Sequence, residues 1–176
     1  MKRRAAQLVV VIVGLAGCGT GRAPAPKATA ATGQGAAVVS REVDGDTIHV
    51  RIGEADERVR FIGINSPETH GPGGLRECFG QQAATRMGEI LPIGTPVDLV
   101  RDVDLRDKYG RLLAYVYRHR DHLFVNLAMV KEGFAEAYTF PPNVAHVDEF
   151  VSASTAARDA NRGLWGTCGS PHVPIN

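Results

Sequence analysis

Three short strand-like segments precede the first helical segment of this 176-residue chain, and two more follow it. The strand-like segments cover about residues 38–43, 47–52, 57–64, 96–103 and 112–119, and apolar and polar residues alternate within 47–52 as in a half-buried strand. Periodic apolar positions predict helices over 77–91, 123–131 and 147–162. Five short strands with a helix between the third and the fourth are typical of a small closed Greek-key barrel. The sequence therefore predicts an α+β fold, a five-stranded OB-fold barrel with three helices.

The predicted helix ends and buried faces follow from proline, glycine and apolar spacing. Pro92 ends the first helix, Gly133 follows the second, and Gly163 is the expected C-terminal cap of the third. The positions expected to face the core are Ala84, Met87 and Leu91, then Leu123, Leu127 and Val130, then Val147, Phe150, Val151 and Ser154.

Residues 1–17 have the composition of a removable export signal. Lys2, Arg3 and Arg4 form a basic start, and the apolar run over 5–14 is too short for a comfortable permanent span of a bilayer. Leu-Ala-Gly-Cys at 15–18 resembles the bacterial lipobox, in which the cysteine is lipidated and becomes the new N-terminus. We therefore expect a lipoprotein signal peptide over 1–17 and a lipid on Cys18, which would anchor the exported protein to the outer face of the bacterial cell membrane. An ordinary secretory signal with a chance cysteine is the alternative.

The composition changes at residue 36. Residues 18–35 are rich in Ala, Gly, Pro and Thr and nearly lack large apolar side chains, which predicts a flexible tether after the lipidated cysteine. The folded domain is expected over 36–169, and residues 170–176 are interpreted as a loose C-terminal tail. A monomer is expected, and no obligate protein partner is implied.

The charge balance limits how a polyanion can be bound. The chain has 20 Lys and Arg and 19 Asp and Glu, for a net charge of +1. Removal of Lys2, Arg3 and Arg4 with the signal peptide leaves two more acids than bases. A slightly acidic domain lacks a general positive field, so a nucleic acid must be held by a local cluster of cations.

The three cysteines divide by position. With Cys18 lipidated, Cys78 and Cys168 remain in an exported, oxidising compartment, where a single disulfide is the simplest use of both. Two unrelated buried thiols are the alternative. A cysteine-based metal site is not expected, because the sequence has no Cys-x-x-Cys pair.

Three short segments concentrate charge where a fold alone does not require it. Asp-Gly-Asp-Thr at 44–47 places two carboxylates around a turn. Arg60 lies within a strand that leads to Asn-Ser-Pro-Glu-Thr at 65–69, and Asp-Lys-Tyr-Gly-Arg at 107–111 is a charged turn before an apolar strand. Each segment alone is also compatible with an ordinary exposed turn.

Taken in this order, the three segments resemble the staphylococcal nuclease (thermonuclease) family. The resemblance runs from about residue 38 to residue 165 and includes a late Gly-Leu-Trp at 163–165. It implies a hydrolase that cuts phosphodiester bonds of DNA, RNA or both with little sequence specificity and a 5′-hydroxyl leaving group. It also implies Ca²⁺ as the cofactor.

The resemblance supplies the groups that phosphodiester hydrolysis needs: a cation, a base for water and donors for the developing charge. Asp46 would bind Ca²⁺ together with residue 65 and the carbonyl of Ser66, and Asp44 would assist without direct coordination. Glu68 would activate or position the water. The phosphate would be held by two guanidinium groups, which suit it through planar bidentate geometry, Arg60 and Arg111.

Aromatic and basic residues near these motifs are expected to contact the substrate. Tyr138 matches a base-stacking tyrosine, Tyr109 can hydrogen-bond a terminal phosphate, and Lys108 can add a phosphate contact, although an exposed lysine without a role is equally compatible. Phe140 replaces a second stacking tyrosine. Tyr115 and Tyr117 are interpreted as barrel packing.

Asn65 departs from the family pattern. It stands where the family has the second carboxylate of the calcium site, so an amide oxygen replaces a formal negative charge. Because ligand charge is a main determinant of Ca²⁺ affinity, we expect weaker binding, reduced activity or a preference for another divalent ion.

Two other functions compete with catalysis. A non-catalytic binding module of the same fold is the main alternative, and the retention of Asp46, Arg60, Glu68 and Arg111 argues against it. A structural envelope lipoprotein is the second. The six histidines lack zinc-site spacing, and no phosphate-binding Gly-Lys-Ser/Thr loop or Gly-x-Ser-x-Gly motif occurs.

Overall fold

A computed structural model describes residues 37–175 of the chain. The predicted signal peptide, the predicted lipidation of Cys18 and the predicted tether lie outside these residues and stay predictions. Within 37–175, no helix has the length and apolar character needed to cross a membrane.

Five strands close into a barrel. They are β1 (Ala37–Glu42), β2 (Thr47–Ile52), β3 (Ala55–Phe61), β4 (Pro96–Val100) and β5 (Leu112–Arg118). β1 pairs antiparallel with β2 and β4, β2 with β3, and β4 with β5, while β3 and β5 pair in parallel and close the barrel. Alternating inward residues such as Val39, Ile48, Val50 and Val59 fill its core. The OB-fold prediction is confirmed.

Five two-residue strands also occur in the described part of the chain, one paired with the barrel and four paired with each other. Leu123–Phe124 pairs with β5, Ile64–Asn65 pairs with Glu136–Ala137, and Arg76–Glu77 pairs with Pro174–Ile175. The third strand was expected to continue to residue 64, but β3 ends at Phe61 because Gly63 takes a left-handed φ of 83°. Ile64–Asn65 then pairs with a different partner, which places Asn65 beside Glu136.

Four helices occur in the described chain, α1 (Gly80–Ile90), α2 (Val125–Lys131), α3 (Val147–Asp159) and α4 (Leu164–Cys168), with a 3₁₀ turn at Pro72–Gly74. The three predicted helices are present as α1, α2 and α3, and the short helix α4 is additional. α3 ends three residues earlier than expected, and Asn161 adopts a left-handed φ of 50° just after it. Gly163 is the residue that starts α4 rather than the cap of α3, and Leu164 and Trp165 of α4 pack with Ala157.

The predicted core positions Met87, Leu91 and Phe150 are buried, but the rest of the buried faces of α1 and α3 differ from the prediction. α1 starts at Gly80 and buries Ala83, Met87 and Ile90, whereas Ala84 lies beside that face. α3 buries Phe150, Ala153 and Ala157, and Val151 is exposed. Small and apolar residues at several helical spacings allow more than one face, so tertiary packing makes the choice.

The C-terminal segment is fixed to the domain and is not a loose tail. Cys78 and Cys168 form the predicted disulfide, with Cα atoms 6.1 Å apart. The backbone N–H of Cys78 donates to the carbonyl of Val173 at 2.7 Å, next to the Pro174–Ile175 strand pair. These contacts bring residues 170–175 against the loop that carries Glu68.

Candidate active site

The turn between β1 and β2 holds two buried carboxylates. Asp44 is 8% and Asp46 is 4% exposed. The backbone N–H of Asp46 donates to Asp44 Oδ1 at 3.0 Å, and the N–H of Ser66 donates to Asp46 Oδ2 at 2.7 Å. A Cβ at Gly45 would lie 2.7 Å from the Ala83 Cβ and 2.8 Å from the Ser66 Cβ, so only glycine allows this close approach. The turn is thereby held directly against the 65–68 loop.

Arg60 joins this turn to the loop. Arg60 in β3 pairs with Thr47 in β2, which places the backbone of Arg60 next to Asp46. Nη2 lies 3.1 Å from Asp46 Oδ2 and donates to Asn65 Oδ1 at 2.8 Å. Nη1 donates to the carbonyls of Phe61 and Ile64 at 3.0 and 2.9 Å. With these partners and a side chain only 14% exposed, the guanidinium has a fixed orientation.

The backbone of Glu68 is held by two hydrogen bonds to Glu77. The N–H of Glu68 donates to Glu77 Oε2 at 2.8 Å, and the N–H of Glu77 donates to the carbonyl of Glu68 at 3.0 Å. An open cavity of about 300 Å³ lies beside Glu68 and is also lined by Arg76, Gln81 and Gln82. Glu68 therefore has a fixed main chain and a side chain that faces an accessible cavity.

The acids of this site raise one another's pKa. Burial, followed by the charge of Asp46, raises the pKa of Asp44 well above its usual range. Burial raises the pKa of Glu68, and the charges of Asp46 and Glu77 add to this effect, while Arg60 and His172 oppose it. Burial and neighbouring negative charge therefore both disfavour the ionised forms of Asp44 and Glu68.

Arg111 is held by the turn that precedes the neighbouring strand. Asp107 Oδ2 accepts from Arg111 Nε at 2.6 Å, and Asp107 Oδ1 accepts from the N–H groups of Tyr109 and Arg111 at 2.9 and 3.0 Å. The parallel register pairs Arg60 with Leu113, two residues after Arg111. Arg60 therefore lies in β3, and Arg111 directly precedes the adjacent strand β5.

The predicted substrate-contacting aromatics are exposed. Lys108 Nζ lies 5.0 Å and the Arg111 guanidinium carbon lies 5.5 Å from the ring centroid of exposed Tyr109. The backbone N–H of Tyr138 donates to the carbonyl of Gly63 at 2.9 Å, which keeps this exposed ring next to the 63–66 loop. Tyr115 is fully buried and Tyr117 is partly buried in the barrel, as predicted.

Comparison with known proteins identifies the family. Residues 58–167 match the family model described as "Staphylococcal nuclease homologue". A thermonuclease of Staphylococcus intermedius is 37% identical over 128 residues, which cover 73% of this chain and 74% of the relative. The chain belongs to the staphylococcal nuclease family.

Two longer relatives of this staphylococcal nuclease homologue come from Bacillus subtilis (strain 168). Endonuclease YncB is 35% identical over 132 residues, which cover 74% of this chain and 62% of the relative. The SPbeta prophage-derived endonuclease YokF is 36% identical over 132 residues, 74% of this chain and 44% of the relative. The matched part of the chain therefore spans about half the length of these two relatives.

This staphylococcal nuclease homologue also brings three unpredicted residues to the site. His172 Nδ1 lies 2.7 Å from Glu77 Oε2, and His172 Nε2 lies 2.9 Å from Glu136 Oε1. Burial alone lowers the pKa of His172, but the hydrogen bonds and charges of Glu77 and Glu136 outweigh it and raise the pKa. The only signal for this cluster in the sequence was the disulfide pair, because a Cys78–Cys168 bond brings residue 172 close to residue 77.

Asn65 lies between two nitrogen groups in this family member. Its Oδ1 faces Arg60, which has no acceptor, so its Nδ2 faces the ring of His172 at 2.7 Å. Across residues 37–175, no group of three or more His, Cys, Asp or Glu side chains is arranged to hold a metal ion. A cation at this site would therefore depend on amide or backbone oxygens as well as carboxylates.

Proposed function

We propose that the chain is a Ca²⁺-dependent nuclease that hydrolyses phosphodiester bonds of DNA, RNA or both. The observation that carries this proposal is the fixed guanidinium of Arg60. It bridges buried Asp46, in the turn between β1 and β2, and Asn65, in the segment that leads to Glu68. The relatives named endonuclease or thermonuclease support the same activity.

The donor set of the site fits a hard divalent cation. Asp46 and the oxygens of Asn65 and Ser66 are of the kind that Ca²⁺ prefers, and Asp44 adds negative charge behind them. Burial first, and the charge of Asp46 second, raise the pKa of Asp44 and of Glu68, and a bound cation would favour their ionised forms. A bound Ca²⁺ would supply charge neutralisation of the phosphate.

The protein groups divide the remaining work. Glu68 accepts a proton from water, whose oxygen attacks phosphorus as the bond from phosphorus to the 5′ oxygen breaks. The leaving oxygen takes a proton from solvent and departs as a 5′-hydroxyl. Arg60 and Arg111 hold the equatorial oxygens, where charge increases in the transition state. Tyr109, Tyr138 and Lys108 contact the substrate beside this centre, and stacking on any base gives little sequence preference.

The experiment that tests this function is a digestion assay. The purified domain is incubated with single- and double-stranded DNA and RNA across a Ca²⁺ titration, and the product ends are identified. We expect calcium-dependent products with 5′-hydroxyl ends. Binding of these substrates without cleavage at any Ca²⁺ concentration would instead support the non-catalytic binding module.

Replacing Asn65 with aspartate tests the assignment of the metal site. Asn65→Asp adds a carboxylate at the ion, partly offset by repulsion from Asp46, and we expect the half-saturating Ca²⁺ concentration to fall about 10-fold. The maximal rate should change much less, because Glu68 and both arginines are retained. The measurement is cleavage rate against Ca²⁺ concentration.

A matched control separates this local effect from a change in net charge. Asn161→Asp adds the same charge at an exposed position after α3 and should leave the Ca²⁺ requirement unchanged. An unchanged requirement in Asn65→Asp would remove residue 65 from the metal site. Full cleavage by the natural protein in chelator would remove Ca²⁺ from the mechanism.

A further inference from the structure

The segment that carries His172 is anchored on both sides. Cys168 is bonded to Cys78 on one side, and on the other Val173 accepts a backbone hydrogen bond from Cys78 and Pro174 pairs with Glu77. His172 itself has a left-handed φ of 57°, which is uncommon for a residue other than glycine. The backbone thus holds this side chain at one place against the loop 65–77.

The ring of His172 contacts three segments that are distant in the sequence. Nδ1 lies 2.7 Å from Glu77 Oε2, and Nε2 lies 2.9 Å from Glu136 Oε1 and 2.7 Å from Asn65 Nδ2. Nδ1–H is donated to Glu77, and Nε2 has either a proton for Glu136 or a lone pair for Asn65 Nδ2 but not both, so each ring nitrogen has a protein partner. Because neither nitrogen is left for a phosphate or a water, the ring is placed to orient its neighbours rather than to react.

Two of these neighbours, Glu77 and Asn65, each contact a residue of the proposed mechanism. Glu77 Oε2, which His172 contacts, also accepts the backbone N–H of Glu68 at 2.8 Å. Asn65, which His172 contacts through Nδ2, accepts from Arg60 Nη2 at 2.8 Å through Oδ1. The ring of His172 therefore contacts the residues that directly contact Glu68, the proposed base, and Arg60, a proposed phosphate-binding residue.

We propose that His172 is a positioning residue of the active site. Its ring donates Nδ1–H to Glu77, which holds the main chain of Glu68, and it lies against Asn65, which accepts from the Arg60 guanidinium. Catalytic groups lose rate steeply when displaced, and a shift of about 1 Å can cost about 100-fold. The inference rests on the proposed roles of Glu68 and Arg60.

The test compares His172→Ala and His172→Asn with His122→Ala. Asparagine tolerates the left-handed backbone and keeps one amide to bind a neighbour. His122 is a matched control, because it is an exposed histidine whose φ of 54° is also left-handed. We expect kcat of His172→Ala to fall at least about 10-fold with KM within about twofold, as for a misplaced catalytic group. His172→Asn should recover part of kcat, and His122→Ala should match the natural protein.

A spectroscopic measurement in the calcium-free protein separates positioning from general destabilisation. The NMR resonances of the Asn65 side-chain amide and the Glu68 backbone amide should shift in His172→Ala and stay in place in His122→Ala. Unchanged resonances and unchanged kcat in a folded, disulfide-bonded His172→Ala protein would overturn the inference. So would a loss of kcat that follows the folded fraction alone.

The outcomes also distinguish this inference from the proposed function. A natural protein that cleaves no substrate, or a Glu68→Gln variant with full activity, contradicts the proposed function. A natural protein that cleaves, an inactive Glu68→Gln variant and a fully active His172→Ala variant contradict only the positioning role.

Discussion

Glu68→Gln lowers the rate of phosphodiester cleavage by about 100-fold or more, which is the usual cost of losing a preorganised charge in an active site. The substitution keeps the size of the side chain and removes its ability to accept a proton from water. Folding should survive, because the hydrogen bonds that hold Glu68 among residues 37–175 run through its backbone to Glu77. The measurement is the rate at saturating substrate and Ca²⁺, with the folded fraction checked by circular dichroism.

Glu54→Gln is the matched control for this substitution. Glu54 is exposed in the turn at the opposite end of the β2–β3 hairpin from Arg60, so the same chemical change should leave the rate unaltered. Natural turnover in folded Glu68→Gln would remove Glu68 from the mechanism. The site would then have to act through its arginines and the cation.

Arg60→Ala and Arg111→Ala are each expected to lower the rate of phosphodiester cleavage by about 100-fold or more. Their effects on stability should differ. Arg60 is nearly buried against Asp46, so its loss leaves buried acceptors unpaired and costs about 1–3 kcal/mol of folding free energy. Arg111 pairs with Asp107 in a turn and should cost less. Exposed Arg120→Ala is the control for both, and an active, folded Arg111→Ala protein would contradict the assignment.

Loss of the Cys78–Cys168 disulfide lowers the free energy of unfolding by about 4 kcal/mol in the chain-entropy model, because the bond closes a loop between cysteines 90 positions apart. The loop restricts the unfolded chain, so the loss should appear in urea unfolding of the reduced protein. Trp165, the single tryptophan, is buried in α4 near Cys168 and reports the transition by fluorescence.

Cysteine variants supply the internal control for this prediction. Cys78→Ala and Cys168→Ala each break the same bond, so the double variant should be no less stable than either single variant beyond small packing effects. A loss below about 1 kcal/mol would contradict the chain-entropy expectation. Mass spectrometry that finds both thiols free in the purified, unreduced protein would contradict the bond itself.

The sequence by itself determined the barrel and the motif residues. Alternation within Thr47–Ile52 and the order of five apolar segments depend on neighbours along the chain, so periodicity predicts them without knowledge of the rest. The same holds for Asp46 and Arg60, whose turn and strand were expected, although the strand of Arg60 ends at Phe61 rather than at residue 64. Even the disulfide followed from counting cysteines, because only two remained for the folded domain.

Tertiary structure alone decided the helix faces and the fourth helix. Ala83 and Ala84 are equally compatible with an apolar stripe, and only contact with the barrel selects Ala83. Gly163 was expected to end a helix, yet the chain turns there and buries Trp165 against residues that the local pattern does not reveal. Weak amphipathic patterns leave several arrangements close in energy, and long-range packing chooses among them.

The contacts around Asn65 are the clearest feature that could not be predicted from the sequence. The partner of Asn65, His172, lies 107 positions away, and the contacts of His172 with Glu136 and Glu77 span 36 and 95 positions. No periodicity relates residues at such separations, so their meeting depends on the path of the folded chain and on the disulfide that returns the C-terminal segment. Local motifs determined which residues are proposed to do the chemistry, whereas the contacts around Asn65 and Glu68 were decided by the tertiary structure, because only the folded chain brings those segments together.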